Sequence, residues 1–338
     1  MAYGTVNADV IGTSVAGSNL GAGNASAMKN RIINGAMVIS QRNGTSSFTP
    51  VTGDYLVDRF AYYVSQSSKF TVQQNAGSVT PPVGFSNYLG LTVASAVTIG
   101  AGDYFFIDQC IEGFNTADLG WGTANAKTVT LSFQVYSSLT GTFGGSISNS
   151  AQTYAYPFSY SIPIANTWTS ISITITGPTS GTWIGATNGI GLRVNLGLGV
   201  GSTYSGTAGA WASTAAIWSA TGATSVVGTN GATFYITGIQ LEVGSSATGF
   251  EYRQYGTELS LCQRYYENYT GSFYLALMAG NGVSASYFKV NKRAAPTITY
   301  NTTGGSISST NPTIQAISFV IYGTTTTAVD SWTASAEL

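Results

Sequence analysis

From residue 30 onward, apolar and polar residues alternate with a period of two, and Gly, Asn and Pro punctuate the runs. Successive side chains on a strand point to opposite faces, so the pattern predicts short β-strands with one buried and one wet face. Strands are expected at 36 to 42, 60 to 66, 69 to 74, 88 to 95, 103 to 113, 128 to 138, 142 to 148, 154 to 163, 167 to 176, 189 to 199 and 232 to 243. Two of them alternate most plainly. Val129, Leu131, Phe133 and Val135 share one face of the sixth, with Thr128, Thr130, Ser132 and Gln134 on the other. In the ninth, Ile171, Ile173 and Ile175 face away from Ser170, Ser172, Thr174 and Thr176. So many short strands between turn residues predict an all-β antiparallel sandwich or barrel and not a βαβ sheet.

Three stretches depart from the pattern. Residues 1 to 29 are Gly, Ala, Ser, Asn and Thr with Tyr3 as the lone aromatic, too little to bury a core, and they read as an arm ordered by a partner. Residues 199 to 231 form a long Gly-rich segment holding Tyr204, Trp211 and Trp218, and loops of that length are usually functional or pinned. After Phe250, charged residues and tyrosines cluster, and Leu259, Cys262, Tyr266 and Tyr269 fall at helical spacing. This spacing predicts a short helix near 257 to 268 capped by Thr257. Further strands are expected at 285 to 291, 297 to 301, 316 to 322 and 331 to 335. The predicted organisation is therefore an arm over 1 to 29, a sandwich over 30 to 256, and a helical connector with a smaller β domain over 257 to 338.

Composition narrows the function. Only 7% of the 338 residues are charged, 12 Lys plus Arg against 13 Asp plus Glu, where an ordinary soluble domain has ~25%. No basic stripe exists to neutralise phosphates or to hold a membrane surface, so neither nucleic acid nor a membrane is an expected partner. No apolar run is long enough for a membrane span. The chain has no His, which removes the commonest general base and metal ligand, and it lacks GxGxxG, GxxxxGK and GxSxG motifs. No cofactor and no metal are expected. Cys110 and Cys262, 152 positions apart, read as reduced thiols. With 43% hydrophobic residues the chain is expected to fold, and with so few charges on its surface it is expected to be buried in an assembly. Its first residues lack a basic stretch followed by an apolar one, so folding in a cytoplasm is expected.

Among the acids, Asp103, Asp108, Glu112 and Asp118 fall within sixteen residues. On one strand face Asp108 and Glu112 stand about 13 Å apart at ~3.3 Å per residue, beyond the ~5 to 9.5 Å of a glycosidase pair, so a non-enzyme is expected. Aromatics are abundant by contrast: 6 Trp, 21 Tyr and 15 Phe. Sugar rings stack their apolar faces on such side chains while Asn, Gln and Ser bond the hydroxyls. Trp121 in DLGWGTA, Tyr204, Trp211 and Trp218 lie in Gly-rich segments and are the candidate glycan-stacking residues. Trp168, Trp183 and Trp332 adjoin strand-like runs and read as packing.

Several longer motifs carry a resemblance: NRIINGAMVISQRNG at 30 to 44, DYLVDRF at 54 to 60, ADLGWGTANAKTVTLSF at 117 to 133, GVGSTYSGTAGAW at 199 to 211, and FYITGIQLEVGSSATGFEYRQYGTELSLCQRYYE at 234 to 267. Over residues 30 to 269 the chain resembles tail-fibre-like virion proteins of bacteriophages and prophages, and KVNKRAAPTIT at 289 to 299 looks like their C-terminal part. It departs from their pattern at Phe60, Cys110 and Gly249, where Trp, a polar residue and Pro are frequent. The resemblance implies a jelly-roll sandwich similar to carbohydrate-binding modules, followed by the smaller β domain. It implies a structural virion protein, fibre-like or an appendage, that is homotrimeric, contacts host-surface polysaccharide and attaches to other virion proteins through the N-terminal arm. A capsid-surface decoration protein that binds no receptor, and a polysaccharide depolymerase, are the alternatives.

Overall fold

The computed structural model describes residues 28 to 275, 281 to 322 and 327 to 338, so the expected N-terminal arm lies, up to residue 27, outside the described residues. The first part of the chain forms β1 (Tyr55–Val57), β2 (Phe60–Val64), β3 (Phe70–Gln74), β4 (Leu89–Val93), β5 (Tyr104–Glu112), β6 (Val129–Ser137) and β7 (Gly141–Asn149). It continues with β8 (Ala155–Ile162), β9 (Thr169–Ile175), β10 (Ile190–Val200), β11 (Ser205–Gly206), β12 (Ser219–Ala220) and β13 (Thr233–Val243). A helix, α1 (Tyr255–Gln263), leads to β14 (Tyr266–Leu275), β15 (Asn281–Tyr287), β16 (Thr297–Thr303), β17 (Ser309–Pro312), β18 (Ala316–Tyr322) and β19 (Thr327–Ser335).

Two antiparallel sheets, ordered β1-β2-β5-β10-β7-β8 and β3-β4-β13-β6-β9, stack as a jelly-roll sandwich. Phe105, Ile107, Phe143 and Leu196 from the first sheet meet Leu91, Leu131, Phe133 and Phe234 from the second in one core. Each such side chain contributes about 1.5–3 kcal/mol by leaving water. Because the side-chain period is two, every strand that buries these residues turns the alternate ones outward. The outer face of the five-stranded sheet is thereby dressed with Ser, Thr, Gln and Tyr.

All but the first of the expected sandwich strands appear. Residues 36 to 42 join no ladder: Ala36, Gln41 and Arg42 lie in turns, and Met37 is left-handed at φ 57. Asn34, in the left-handed region at φ 61, is the cause: its side-chain amide donates to the Ile39 and Asp58 carbonyls at 2.8 and 2.9 Å and its carbonyl accepts from the Ile39 N–H at 2.9 Å. One side chain supplies the bonds that a neighbouring strand supplies elsewhere.

The helix also differs from expectation. It begins two residues before Thr257, with Gln254 at the cap position and no capping side chain, so Thr257 is an exposed member of the first turn. It ends at Gln263, because Tyr266 and Tyr269 belong to β14 and pair with Ser335 and Trp332 of β19. The C-terminal strands form two three-stranded sheets, β14-β19-β16 and β15-β18-β17, around Phe288, Ile317, Phe319, Val329 and Trp332. Strands β1, β11, β12, β14 and β17 have no counterpart in the expected set. Among the described residues no helix is long and apolar enough to cross a membrane.

Candidate functional site

A groove of about 350 Å³ crosses the outer face of the five-stranded sheet. Its floor follows from strand alternation: Leu131 and Phe133 face the core, so Ser132 and Gln134 face out, opposite Ser172 and Ser170 of β9. Ser170 Oγ donates to Gln134 Oε1 at 2.9 Å, which holds the amide flat along the floor. One wall is aromatic. Phe85, Phe250 and Tyr252 form a triad with ring centroids 5.0 to 5.6 Å apart, and Tyr252 is 60% exposed. The wall lies against the sheet because β13 bulges between Thr237 and Gln240, where Gly238 has φ +65 and a Cβ would stand 2.6 Å from the Phe85 ring. Further along the same face, Tyr136 stacks on Tyr235 at 5.4 Å and Trp168 lies 5.5 Å from both Tyr136 and Tyr88. No charged side chain lines the groove. It offers ring faces, the hydroxyls of Ser132, Ser170, Ser172, Thr248 and Tyr252 and the Gln134 carboxamide, a set suited to an uncharged ligand rich in hydroxyls.

The four aromatics singled out from sequence do not converge on this groove. Tyr204 and Trp218 lie on the outer face of the six-stranded sheet, where Trp218 stacks on Phe106 at 4.9 Å and stands 4.4 Å from Tyr204. Trp218 Nε1–H donates to Gln152 Oε1 at 2.6 Å. Here the 199 to 231 segment is folded onto the sheet: a Cβ at Gly144 or Gly197 would meet the Ser219 hydroxyl at 2.6 Å, so the two glycines let it approach. Trp121 and Trp211 form a triangle with Trp183 at one end of the sandwich, with centroids 4.8 to 5.5 Å apart. Trp121 is buried and donates to the Lys127 carbonyl at 2.8 Å, and half-buried Trp211 donates to that of Thr176 at 2.7 Å. Three of the four keep a partly exposed ring, Trp121 does not, and all three indole N–H groups are engaged. Phe85, Phe250 and Tyr252 escaped the sequence analysis. The outward row of Ser132, Gln134, Ser170 and Ser172, already visible as the wet face of two strands, is the signal that leads to them.

The carboxylates are tied to structural partners. Asp108 is buried beside Arg193, whose Nη1 is 2.5 Å away, and burial pushes its pKa up. Glu112 accepts from Arg264 at 2.6 and 2.8 Å and from the Tyr265 hydroxyl at 2.7 Å. Asp103 accepts from Gln66, the Gly100 N–H and Ser65, and these bonds hold its pKa below the ordinary value. Asp118 pairs with Arg31 at 2.7 Å. Cys110 and Cys262 are buried free thiols whose pKa values burial pushes well up. Among the described residues no group of three His, Cys, Asp or Glu is placed to hold a metal.

No family model and no curated protein matches the sequence. Solved structures similar to part of the chain include the enzymatically active domain of bacteriophage CBA120 tailspike protein 4, at 15% identity and TM-score 0.36, covering 64% of this chain and 22% of that one. A family 61 carbohydrate-binding module in complex with beta-1,4-galactotriose is similar at 8% identity and TM-score 0.34, over 64% of this chain and 99% of the module. The family 11 carbohydrate-binding module of a Clostridium thermocellum cellulosomal cellulase is similar at 10% identity and TM-score 0.31, over 61% and 99%.

Proposed function

We propose that the chain is a glycan-binding structural protein without a catalytic role, and that the groove on the five-stranded sheet receives host-surface polysaccharide. The observation that carries this is the pairing of an exposed aromatic wall, Phe85, Phe250 and Tyr252, with a neutral polar floor of Ser132, Gln134, Ser170 and Ser172. Sugar rings stack on the wall and their hydroxyls exchange hydrogen bonds with the floor. The sequence resemblance extends the proposal to a bacteriophage virion: a fibre-like or appendage protein, homotrimeric, attached to other virion proteins by residues 1 to 29 and assembled in the host cytoplasm. The scarcity of charge supports an assembled setting, since few surface charges keep copies of the chain apart.

The test is binding of the full-length protein to intact candidate host cells, with competition by polysaccharide extracted from those cells. Saturable, competed binding is expected, weakened about tenfold (~1.4 kcal/mol) in Tyr252→Ala and in Gln134→Ala with unchanged thermal unfolding. Because the groove is uncharged, affinity should hold from about 50 to about 500 mM salt. Trp211→Ala and Tyr204→Ala form the contrasting pair: loss of binding in these, with Tyr252→Ala unaffected, would move the site to the loop aromatics. No binding by well-folded protein overturns the proposal.

A further inference from the structure

We propose a second binding pocket, at the end of the sandwich, that takes one uncharged six-membered sugar ring such as the terminal residue of a glycan. The proposal rests on the glycan-binding reading and adds a site that shares no residue with the groove. The pocket lies between residues 116 to 123 and 183 to 192 and encloses about 170 Å³. A cavity of ~150 Å³ holds a benzene ring, so this one admits a single ring and not a chain. Trp121 and Trp183, edge to face at 4.8 Å, form one side and Leu119, Ile184 and Leu192 supply further apolar surface. Thr116 and Thr123 add hydroxyls, each donating to a backbone carbonyl; the Thr116 oxygen is left as an acceptor, and that of Thr123 also accepts from the Asn125 N–H at 3.1 Å.

The walls are fixed before any ligand arrives. Trp121 Nε1–H bonds the Lys127 carbonyl, the Lys127 N–H bonds that of Leu119 at 2.8 Å, and Trp183 Nε1–H bonds that of Ser180 at 3.0 Å. The Gly122 N–H reaches the Pro178 carbonyl at 2.8 Å and the Gly113 N–H that of Gly189 at 2.8 Å, which fastens the two loops together. With both indoles and both loops held by these bonds, the ring-sized space beside the Trp121–Trp183 pair is preformed. No ionisable side chain lines it, and the nearby Asp118 is paired with Arg31. The chemistry selects a neutral hexopyranose over a uronic acid.

The test uses the full-length protein and three neutral probes, the methyl glycosides of glucose, galactose and mannose, with glucuronate as the charged counterpart, followed by ligand-observed NMR and tryptophan fluorescence. At least one neutral glycoside should bind and glucuronate should not. Gly185 lines the pocket, is exposed, and a Cβ there meets nothing within 4 Å, so Gly185→Leu sets a bulky side chain at the pocket's edge without displacing a neighbour. It should weaken the response about tenfold or more, as should Trp183→Ala, while Tyr252-dependent binding of polysaccharide persists. No response from any neutral probe, or a response that both variants leave intact, overturns the pocket. Polysaccharide binding lost in Tyr252→Ala alone reports on the groove and not on this pocket.

Discussion

The tie between the sandwich and the C-terminal strands can be tested by removing Glu112. This residue ends β5 on the outer face of the six-stranded sheet, is 1% exposed, and receives Arg264 in a two-pronged pair and the hydroxyl of buried Tyr265. Arg264 and Tyr265 are the two residues between α1 and β14, so the bonds fix where the C-terminal strands begin. Tyr265 in turn carries the Arg59 guanidinium 3.6 Å above its ring. Deleting one member of a buried pair costs ~3–5 kcal/mol. Arg264 is 31% exposed, so water takes back part of that penalty. The Tyr265 hydroxyl stays buried and unpaired at ~1–3 kcal/mol, which leaves about 2–4 kcal/mol for Glu112→Ala.

At ~2–4 °C per kcal/mol for a unit of this size, the expected fall in Tm is roughly 4 to 16 °C by calorimetry. Glu112→Ala, Arg264→Ala and the double variant form a cycle whose coupling should be about 1–2 kcal/mol, and Tyr265→Phe isolates the hydroxyl. A cost below ~1 kcal/mol with coupling near zero refutes the argument. The join would then rest on other contacts, such as Arg59 and Arg42 with Glu337.

Burial raises the pKa of Asp58 and Asp108 above 3.8, so the folded protein holds these protons more tightly than the unfolded chain does. Between 3.8 and the raised values both groups add stability as pH falls, and Asp108→Asn should show a smaller gain in thermal stability on acidification from about pH 7 to about 4. An unchanged pH profile would contradict burial as the cause. For the thiols, an aromatic disulfide reagent at about pH 8 should titrate neither Cys110 nor Cys262 in native protein and both in denaturant, because only an accessible thiolate reacts. Rapid native labelling of either would place that sulfur at the surface.

Most of the sandwich was legible because most strands of its two sheets alternate apolar and polar residues, which the three-residue β1 is too short to do. The failures have local causes. The 36 to 42 segment alternates as well, but Asn34 bonds both the N–H and the carbonyl of Ile39, and no periodicity reveals a side chain standing in for a strand. β14 was hidden by charge: Glu267 sits buried on it, paired with buried Lys292 at 2.6 Å, where an apolar residue would have shown the strand. Its tyrosines happened to continue a helical spacing from Leu259 and Cys262, which extended the expected helix into it.

The site was legible in its chemistry but not in its place. Glycine-rich surroundings suggest exposed rings at Trp121, Trp211 and Trp218, whereas glycine also lets backbone and side chains approach closely, and here all three indoles bond neighbouring groups. The groove instead joins Phe85, Ser132 to Gln134, Ser170 to Ser172 and Phe250 to Tyr252, segments that only the strand order brings together. The scarcity of charge foretells its character nonetheless. Arg264 with Glu112, Arg193 with Asp108, Lys292 with Glu267, Arg59 with Glu337 and, on the five-stranded sheet itself, Lys29 with Glu242 are buried or half-buried ties within the fold, which leaves hydroxyls, amides and rings to line the groove. A face so built has no Coulombic hold on a charged ligand, and its contacts are those that a neutral glycan returns.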